Sequence, residues 1–144
     1  MSTKSICEDV LSGKIREAGV SSKELRLCVN RLAAMNVNDV WKKAISIDAK
    51  PVEMLAMTSH PDPVVRLALT KNPGLPVEII EILAEDEEEK VRMYVIKHPN
   101  APDYVLAELE QDESPSVANT AKMKREALKE LEKEQYGDLI VKPG

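Results

Sequence analysis

Aromatic residues are scarce in this sequence, whose 144 residues include no phenylalanine, one tryptophan and three tyrosines. The two cysteines, Cys7 and Cys28, belong to no close-set pair, which argues against a disulfide framework and predicts a reducing, intracellular location. Four of the five glycines are isolated and the fifth is terminal, so no glycine-rich loop can cradle a phosphate. No apolar stretch approaches the ~20 residues that a membrane-spanning helix needs. These absences predict a cytoplasmic protein that does not enter a membrane.

Histidine is also scarce, and neither His60 nor His98 has a cysteine or a carboxylate cluster at the spacing of metal ligands. Both histidines precede a proline in a predicted turn, and no Ser/His/Asp or Cys/His arrangement for nucleophilic catalysis can be argued from them. The acidic residues lie on predicted solvated helix faces rather than in a cleft. We therefore predict a protein that is not an enzyme and that holds no metal and no cofactor.

The overall charge narrows the choice of partner. The chain carries 20 basic and 25 acidic side chains, for a net charge of −5. A net acidic protein is poorly suited to nonspecific binding of nucleic acid or of an anionic membrane surface. A local basic patch is still compatible with this balance.

A unit of about 26 residues recurs along the chain. The residue pairs that match at this offset are Val65 and Val91, Arg66 and Arg92, Pro73 and Pro99, Pro76 and Pro102, Leu83 and Leu109, and Asp86 and Asp112. A third unit opens at Val117, where Ala118 stands in the place of the arginine, and Pro51 matches Pro76 at an offset of 25. The pattern fades at both ends, as expected of terminal units that must present a solvated face.

Prolines mark the helices within each unit. A proline at the first helical position opens a first helix at Pro51, Pro76 and Pro102. A second helix follows an acidic turn and ends before Pro73 or Pro99, because proline disfavours helical geometry in the residue before it. Further helices are predicted over 4–18, 22–35, 37–46 and 115–135, the last one stopped by Gly137.

The predicted fold class is all-α, a short right-handed α-solenoid of stacked helix pairs. One helical-repeat domain is expected over residues 1–136, followed by a C-terminal tail over 137–144. Within the domain, residues 1–50 form N-terminal helices, 51–121 form the best repeats and 115–136 form a long terminal helix.

Residues 64–86 resemble the leucine-rich repeat variant, a HEAT-like repeat family. The match rests on the order Val-Arg, Asn-Pro-x-x-Pro and Leu-Ala-x-Asp, and it extends over roughly residues 51–121. The resemblance implies a solenoid with a binding role. Founding members of the family are associated with an iron–sulfur cluster held by grouped cysteines, which Cys7 and Cys28 cannot supply, so the resemblance implies no cofactor in this chain.

Arg66 and Arg92 hold equivalent positions, and two interpretations are open for them. They could form a ladder with acidic side chains of the neighbouring unit, which suits the bidentate geometry of guanidinium, or they could belong to an exposed binding ridge. Trp41 aligns with the same position, and it is either a core residue or an exposed contact residue on that ridge. Tyr94 and Tyr104 lie on apolar stripes and are predicted core residues.

Charge is segregated between the two sets of helices. Residues 76–89 contain seven acidic residues and no basic one, and residues 102–113 contain five and none. The second helices instead carry basic residues: Arg66, Lys71, Arg92, Lys97, Lys122, Lys124 and Arg125. This segregation could reflect favourable charges at helix ends, or it could mark a basic concave surface for an acidic partner. We predict a noncatalytic protein–protein interaction or regulatory module that binds through the second helices. Its candidate contact residues are Trp41, Arg66, Lys71, Arg92, Lys97 and Lys122.

Two other functions are compatible with the sequence. A nucleic-acid-binding HEAT-like protein could use the basic ridge of the second helices, and its binding would weaken steeply with salt. An enzyme or pigment-handling chaperone of HEAT-like type is the third possibility.

Overall fold

The computed structural model describes residues 21–140, and their side chains as far as residue 134. All regular secondary structure in this part of the chain is helical, which confirms the all-α class. The helices are α1 (Ser22–Ala34), α2 (Val37–Ala44), α3 (Pro51–Met57), α4 (Pro63–Leu69), α5 (Val77–Leu83), α6 (Glu89–Lys97), α7 (Asp103–Leu109) and α8 (Pro115–Ile140). The helix predicted over 4–18 and the tail residues 141–144 lie outside the described residues.

Short polar side chains and prolines set the starts of these helices. The Ser21 hydroxyl accepts a hydrogen bond from the backbone of Glu24 (3.1 Å), and Asp62 does the same for Val64 (2.9 Å), so both act as N-caps. Pro51 is the first residue of α3, as predicted. The starts predicted at Pro76 and Pro102 are wrong by one residue. These prolines have extended backbone (ψ 152° and 157°) and are N-caps, so α5 begins at Val77 and α7 at Asp103.

The helices pack in two alternating sets. We call α1, α3, α5 and α7 the first helices and α2, α4, α6 and α8 the second helices. Each second helix contacts the next one, so that α2 packs on α4, α4 on α6 and α6 on α8, and α1 packs on α3 in the same way. Neighbours in sequence also pack, among them α3 with α4, α5 with α6 and α7 with α8.

One continuous apolar core runs through these helices. It contains aliphatic, alanine, methionine and cysteine side chains, and none of the aromatic residues of the described part is among its buried members. Fully buried examples from successive helices are Leu25, Val40, Met57, Leu69, Ile80, Val95, Leu106 and Val117. Since burial of such a side chain stabilises the fold by roughly 1.5–3 kcal/mol, the core needs no aromatic residue.

Helix α8 is much longer than the other second helices, and the sequence shows why. Pro73 and Pro99 follow α4 and α6, but the residue 26 positions after Pro99 is Arg125, which can continue a helix. The predicted stop at Gly137 is wrong, because α8 continues to Ile140. A single glycine costs about 1 kcal/mol relative to alanine in a helix, which is too little to end it. The first residues of the predicted tail, 137–140, are therefore helical.

Candidate partner-binding surface

A ladder of arginine and aspartate side chains joins successive units. Arg66 Nε donates to Asp86 Oδ2 (2.8 Å), and Arg92 binds Asp112 through Nε (2.8 Å) and Nη2 (3.1 Å). Each arginine also donates through Nη1 to a carbonyl oxygen in the turn before its own helix, that of His60 (2.5 Å) or of Asp86 (2.8 Å). The hydrogen bonds that Arg92 donates to Asp112 raise the pKa of the Arg92 guanidinium above its ordinary value.

This arginine ladder confirms the stacking interpretation. Arg66 and Arg92 are only 7% and 8% exposed, so they are not displayed on an exposed ridge. Their guanidinium groups bind the aspartates of the neighbouring unit and backbone carbonyl oxygens. This agrees with the general rule that buried charged groups are paired. We assign both arginines to stacking rather than to partner contact.

A second ladder, which sequence reasoning missed, runs through the ends of the second helices. The residues at positions 72, 98 and 124 each reach back to backbone carbonyl oxygens at the end of the previous second helix. The donors and acceptors are Asn72 Nδ2 with Ala44 O (2.8 Å) and Ser46 O (2.9 Å), His98 Nε2 with Asn72 O (2.7 Å), and Lys124 Nζ with Ile96 O and His98 O (3.1 Å). We call this set the carbonyl ladder. It supplies donors to the helix-end carbonyl oxygens of Ala44 and Ile96, which have no partner within their own helix, and a further donor to turn carbonyl oxygens that follow the helices.

The hydrogen bonds of the buried His98 also identify its tautomer. A carbonyl oxygen can only accept, so Nε2 carries the proton toward Asn72, and Nδ1 accepts from the backbone of Asn100 (3.0 Å). Neither ring nitrogen of His98 is therefore available to a metal. Burial lowers the pKa of the Lys124 ammonium, which nevertheless donates to two carbonyl oxygens.

Two of the predicted contact residues meet at one aromatic ring. Lys71, just after α4, and Lys97, at the end of α6, place their Nζ atoms 5.5 Å and 5.0 Å from the centre of the Tyr94 ring. Both lysines are exposed, and Tyr94 is half-buried rather than part of the core. We call these three residues the Tyr94 cluster. The two cation–π contacts bring ammonium groups of successive units to one ring.

The other predicted contact residues lie outside the Tyr94 cluster. Trp41 is 38% exposed, so the interpretation of Trp41 as a core residue is wrong and its side chain lies at the surface. Its neighbours Val40 and Ala44 are fully buried, like Val65 and Leu69 at an offset of 25, which supports its alignment with Arg66. Lys122 is exposed, but it follows Ile96 by 26 residues. It therefore holds the repeat position of Ile96 in α6 and not the position that Lys71 and Lys97 share. Tyr104 is also exposed, and its hydroxyl donates to Glu81 (2.9 Å).

In α8, the repeat position that Lys71 and Lys97 share is held by Met123. It follows Lys97 by 26 residues, as Lys97 follows Lys71, and it is 69% exposed. Because the next residue, Lys124, donates to the carbonyl oxygens of Ile96 and His98, Met123 lies beside the end of α6. Helix α8 is anchored at this point by Arg125, which binds both carboxylate oxygens of Asp103 (3.0 and 3.1 Å) and also Glu110.

No protein-family model, curated protein or solved structure matches this chain. The candidate surface therefore rests on its own geometry. Among the residues that the structure describes, no group of three or more His, Cys, Asp and Glu residues could hold a metal ion. Over the same residues, no helix is both long enough and apolar enough to cross a bilayer.

Proposed function

We propose that this protein is a noncatalytic protein–protein interaction module, and that the Tyr94 cluster binds an acidic surface of its partner. The observation that carries the proposal is the pair of exposed ammonium groups held over one ring, 5.5 Å and 5.0 Å from its centre. Within the part of the chain that the structure describes, neither Lys71 nor Lys97 forms an ion pair. Two preplaced positive charges next to an aromatic face suit carboxylates on a partner.

We further propose that the helices form a right-handed, HEAT-like solenoid of the leucine-rich repeat variant type. The 26-residue spacing, the packing of each second helix on the next and the two ladders that join the same positions support this architecture. In such a solenoid the second helices line the concave face, so a partner would contact the Tyr94 cluster from that side.

The absence of a catalytic role is part of the proposal. The side chains best suited to chemistry are engaged in structural contacts: both ring nitrogens of His98 are hydrogen-bonded, and Arg66 and Arg92 are held in the arginine ladder. The Cys28 thiol is buried, and burial is the main cause that raises its pKa, so it is a poor nucleophile. An interaction module needs none of these groups to be free.

A direct test uses a glutamate-rich peptide and charge-reversal variants of the full chain. We expect the peptide to shift the NMR signals of Lys71, Tyr94 and Lys97, and the K71E/K97E variant to lose this binding. The matched control is K23E/K42E, which makes the same change of net charge at two exposed lysines of α1 and α2 and should bind as the wild type does. Equal binding by all three proteins would contradict the proposal.

The nucleic-acid alternative is tested with the same proteins. A short DNA duplex bound through phosphates would give a mobility shift that weakens steeply as salt is raised. If the duplex binds in this way at the Tyr94 cluster and the glutamate-rich peptide does not, the acidic-partner proposal is replaced by nucleic-acid binding.

A further inference from the structure

The exposed surface along the ends of the second helices changes character in a regular way. Lys71, Lys97 and Met123 hold the same register at intervals of 26 residues, and all three are exposed. The line therefore runs from two positive charges to an apolar side chain. The Tyr94 ring contacts both lysines, and the hydrogen bonds of Lys124 to the end of α6 place Met123 next to Lys97.

Beyond Met123, helix α8 continues with an acidic stripe. Ala127, Glu130 and Glu134 follow Met123 at intervals of four, three and four residues, so they share its face of the helix, and Glu126 borders them. All of these side chains are exposed. We call Glu126, Glu130 and Glu134 the α8 acidic stripe. Lys133 borders this stripe on its Glu126 edge, about 20° from Glu126 around the helix, and Lys129 lies farther round, since each residue turns the helix by about 100°.

Arg125 anchors α8 at the point where it leaves the other helices, so the stripe starts from a fixed position. Its guanidinium binds Asp103 in a bidentate geometry and also contacts Glu110. Hydrogen bonding to Asp103 and Glu110 raises the pKa of Arg125 above its ordinary value, so the anchor is charged at every relevant pH. The Tyr94 cluster, Met123 and the α8 acidic stripe thus form one surface with a basic end, an apolar middle and an acidic end.

We infer that this surface binds a second copy of the chain across a two-fold axis near Met123. A two-fold axis at the middle of such a surface brings the basic end of each copy against the acidic end of the other, so the complementary contact forms twice. The two Met123 side chains, each 69% exposed in the single chain, meet at the centre. The inference rests on the proposed function, since it names the acidic partner of the Tyr94 cluster as the α8 acidic stripe of another copy.

Sedimentation of the full chain over a range of concentrations tests the inference. We expect a concentration-dependent dimer at an ionic strength of about 0.1 M and its dissociation at about 1 M, where the Debye length falls to about 3 Å. The K71E/K97E variant and the E126K/E130K/E134K variant should each dimerise about a hundredfold more weakly or not at all, because like charges then face each other in both contacts.

The decisive measurement mixes the two variants. The first variant has two acidic ends and the second has two basic ends, so a mixed dimer restores both contacts and should form with about wild-type affinity. The K23E/K42E control should dimerise like the wild type, and circular dichroism checks that every variant is helical. A wild-type chain that stays monomeric, or a dimer that neither variant weakens, would overturn the inference. If the chain is monomeric but the glutamate-rich peptide still requires Lys71 and Lys97, the proposed function stands without self-association.

Discussion

At the scale of single residues, arginine suits positions 66 and 92 because one guanidinium serves two different acceptors. Nε faces the carboxylate of the next unit while Nη1 faces a carbonyl oxygen of the turn before its own helix. A lysine has one compact ammonium and could not span both groups in a fixed geometry. The ladder ends where the residue type changes, at Trp41 on one side and Ala118 on the other.

Removal of one partner of this ladder should be strongly destabilising. We expect Arg92→Ala to lower the free energy of unfolding by about 3–5 kcal/mol, because the buried carboxylate of Asp112 is left without its counterion. The double variant R92M/D112L should recover much of this loss, since apolar side chains can replace a buried ion pair. Urea denaturation measures both, with Arg26→Ala on the exposed face of α1 as the control. A loss below about 1 kcal/mol for Arg92→Ala would show that the pair contributes no more than an exposed one.

Cys28 offers a second residue-scale test. Burial, with the Glu53 carboxylate as a further cause, raises the pKa of its thiol, so little thiolate forms near neutral pH. In a C7S variant, which leaves Cys28 as the one cysteine, we expect a disulfide reagent to react far more slowly with the folded protein than with the protein in urea. Equal rates in the two states would place Cys28 at the surface instead.

At the scale of helices, the carbonyl ladder shows that different residues can meet one structural need. Asparagine, histidine and lysine take equivalent positions in successive units, and each donates to carbonyl oxygens at the end of the preceding second helix. The arginine ladder could be predicted because identical residues recur at an offset of 26. The carbonyl ladder was not predicted because only the position recurs, and residue identity alone does not reveal what three dissimilar donors share.

The equivalence of these positions predicts which substitutions His98 tolerates. His98→Asn introduces the residue that holds this place in the preceding unit, and it should change the free energy of unfolding by less than about 1 kcal/mol. His98→Leu leaves the Asn100 N–H without its partner and the Asn72 carbonyl oxygen with only the hydrogen bond from the Leu75 N–H, and it should cost about 1–3 kcal/mol. Urea denaturation of both variants makes the comparison. Equal losses would mean that the volume of the imidazole, and not its hydrogen bonds, stabilises this position.

The contact between α2 and α3 should make stability depend on pH. Burial alone would raise the pKa of Glu53, but the hydrogen bonds from Lys43 Nζ (2.5 Å) and from the Lys50 backbone lower it. Because the folded carboxyl has the lower pKa, the contribution is complete above the ordinary pKa of glutamate, about 4.3, and is lost as pH falls through the folded value. Lys43→Met should therefore be about 1 kcal/mol less stable than the wild type at pH 7, with a smaller difference in acid. If the difference in the free energy of unfolding between Lys43→Met and the wild type does not change with pH, the Lys43–Glu53 pair is not its cause. The same conclusion follows if the exposed Lys42→Met control loses as much stability.

At the scale of the whole molecule, the order of the helices was predictable and their surface was only partly so. Prolines and caps locate most helix ends to within about two residues, but the end of α8 depends on Arg125 standing where a proline would be, and a stop was predicted at Gly137 instead. The exposure of Trp41 could not be read from its alignment with Arg66, since burial depends on what the neighbouring unit places over a side chain. Lys71 and Lys97 were predicted as contact residues, but the ring that brings them together was assigned to the core.

Stability should be unevenly distributed along the chain, because helices in the middle have neighbours on both sides. Helices α4 and α6 each pack on a second helix before and after them, whereas α8 makes its core contacts through Val117 and Ala121 and is exposed beyond Arg125. Local opening is easiest where few buried contacts must be broken. We expect the backbone amides of α4 and α6 to exchange with solvent most slowly, and those of α8 beyond residue 126 to exchange fastest among the helices, when hydrogen exchange is followed at high salt to keep the proposed dimer apart. Uniform protection along α8 would mean that its exposed half is covered even in the monomer.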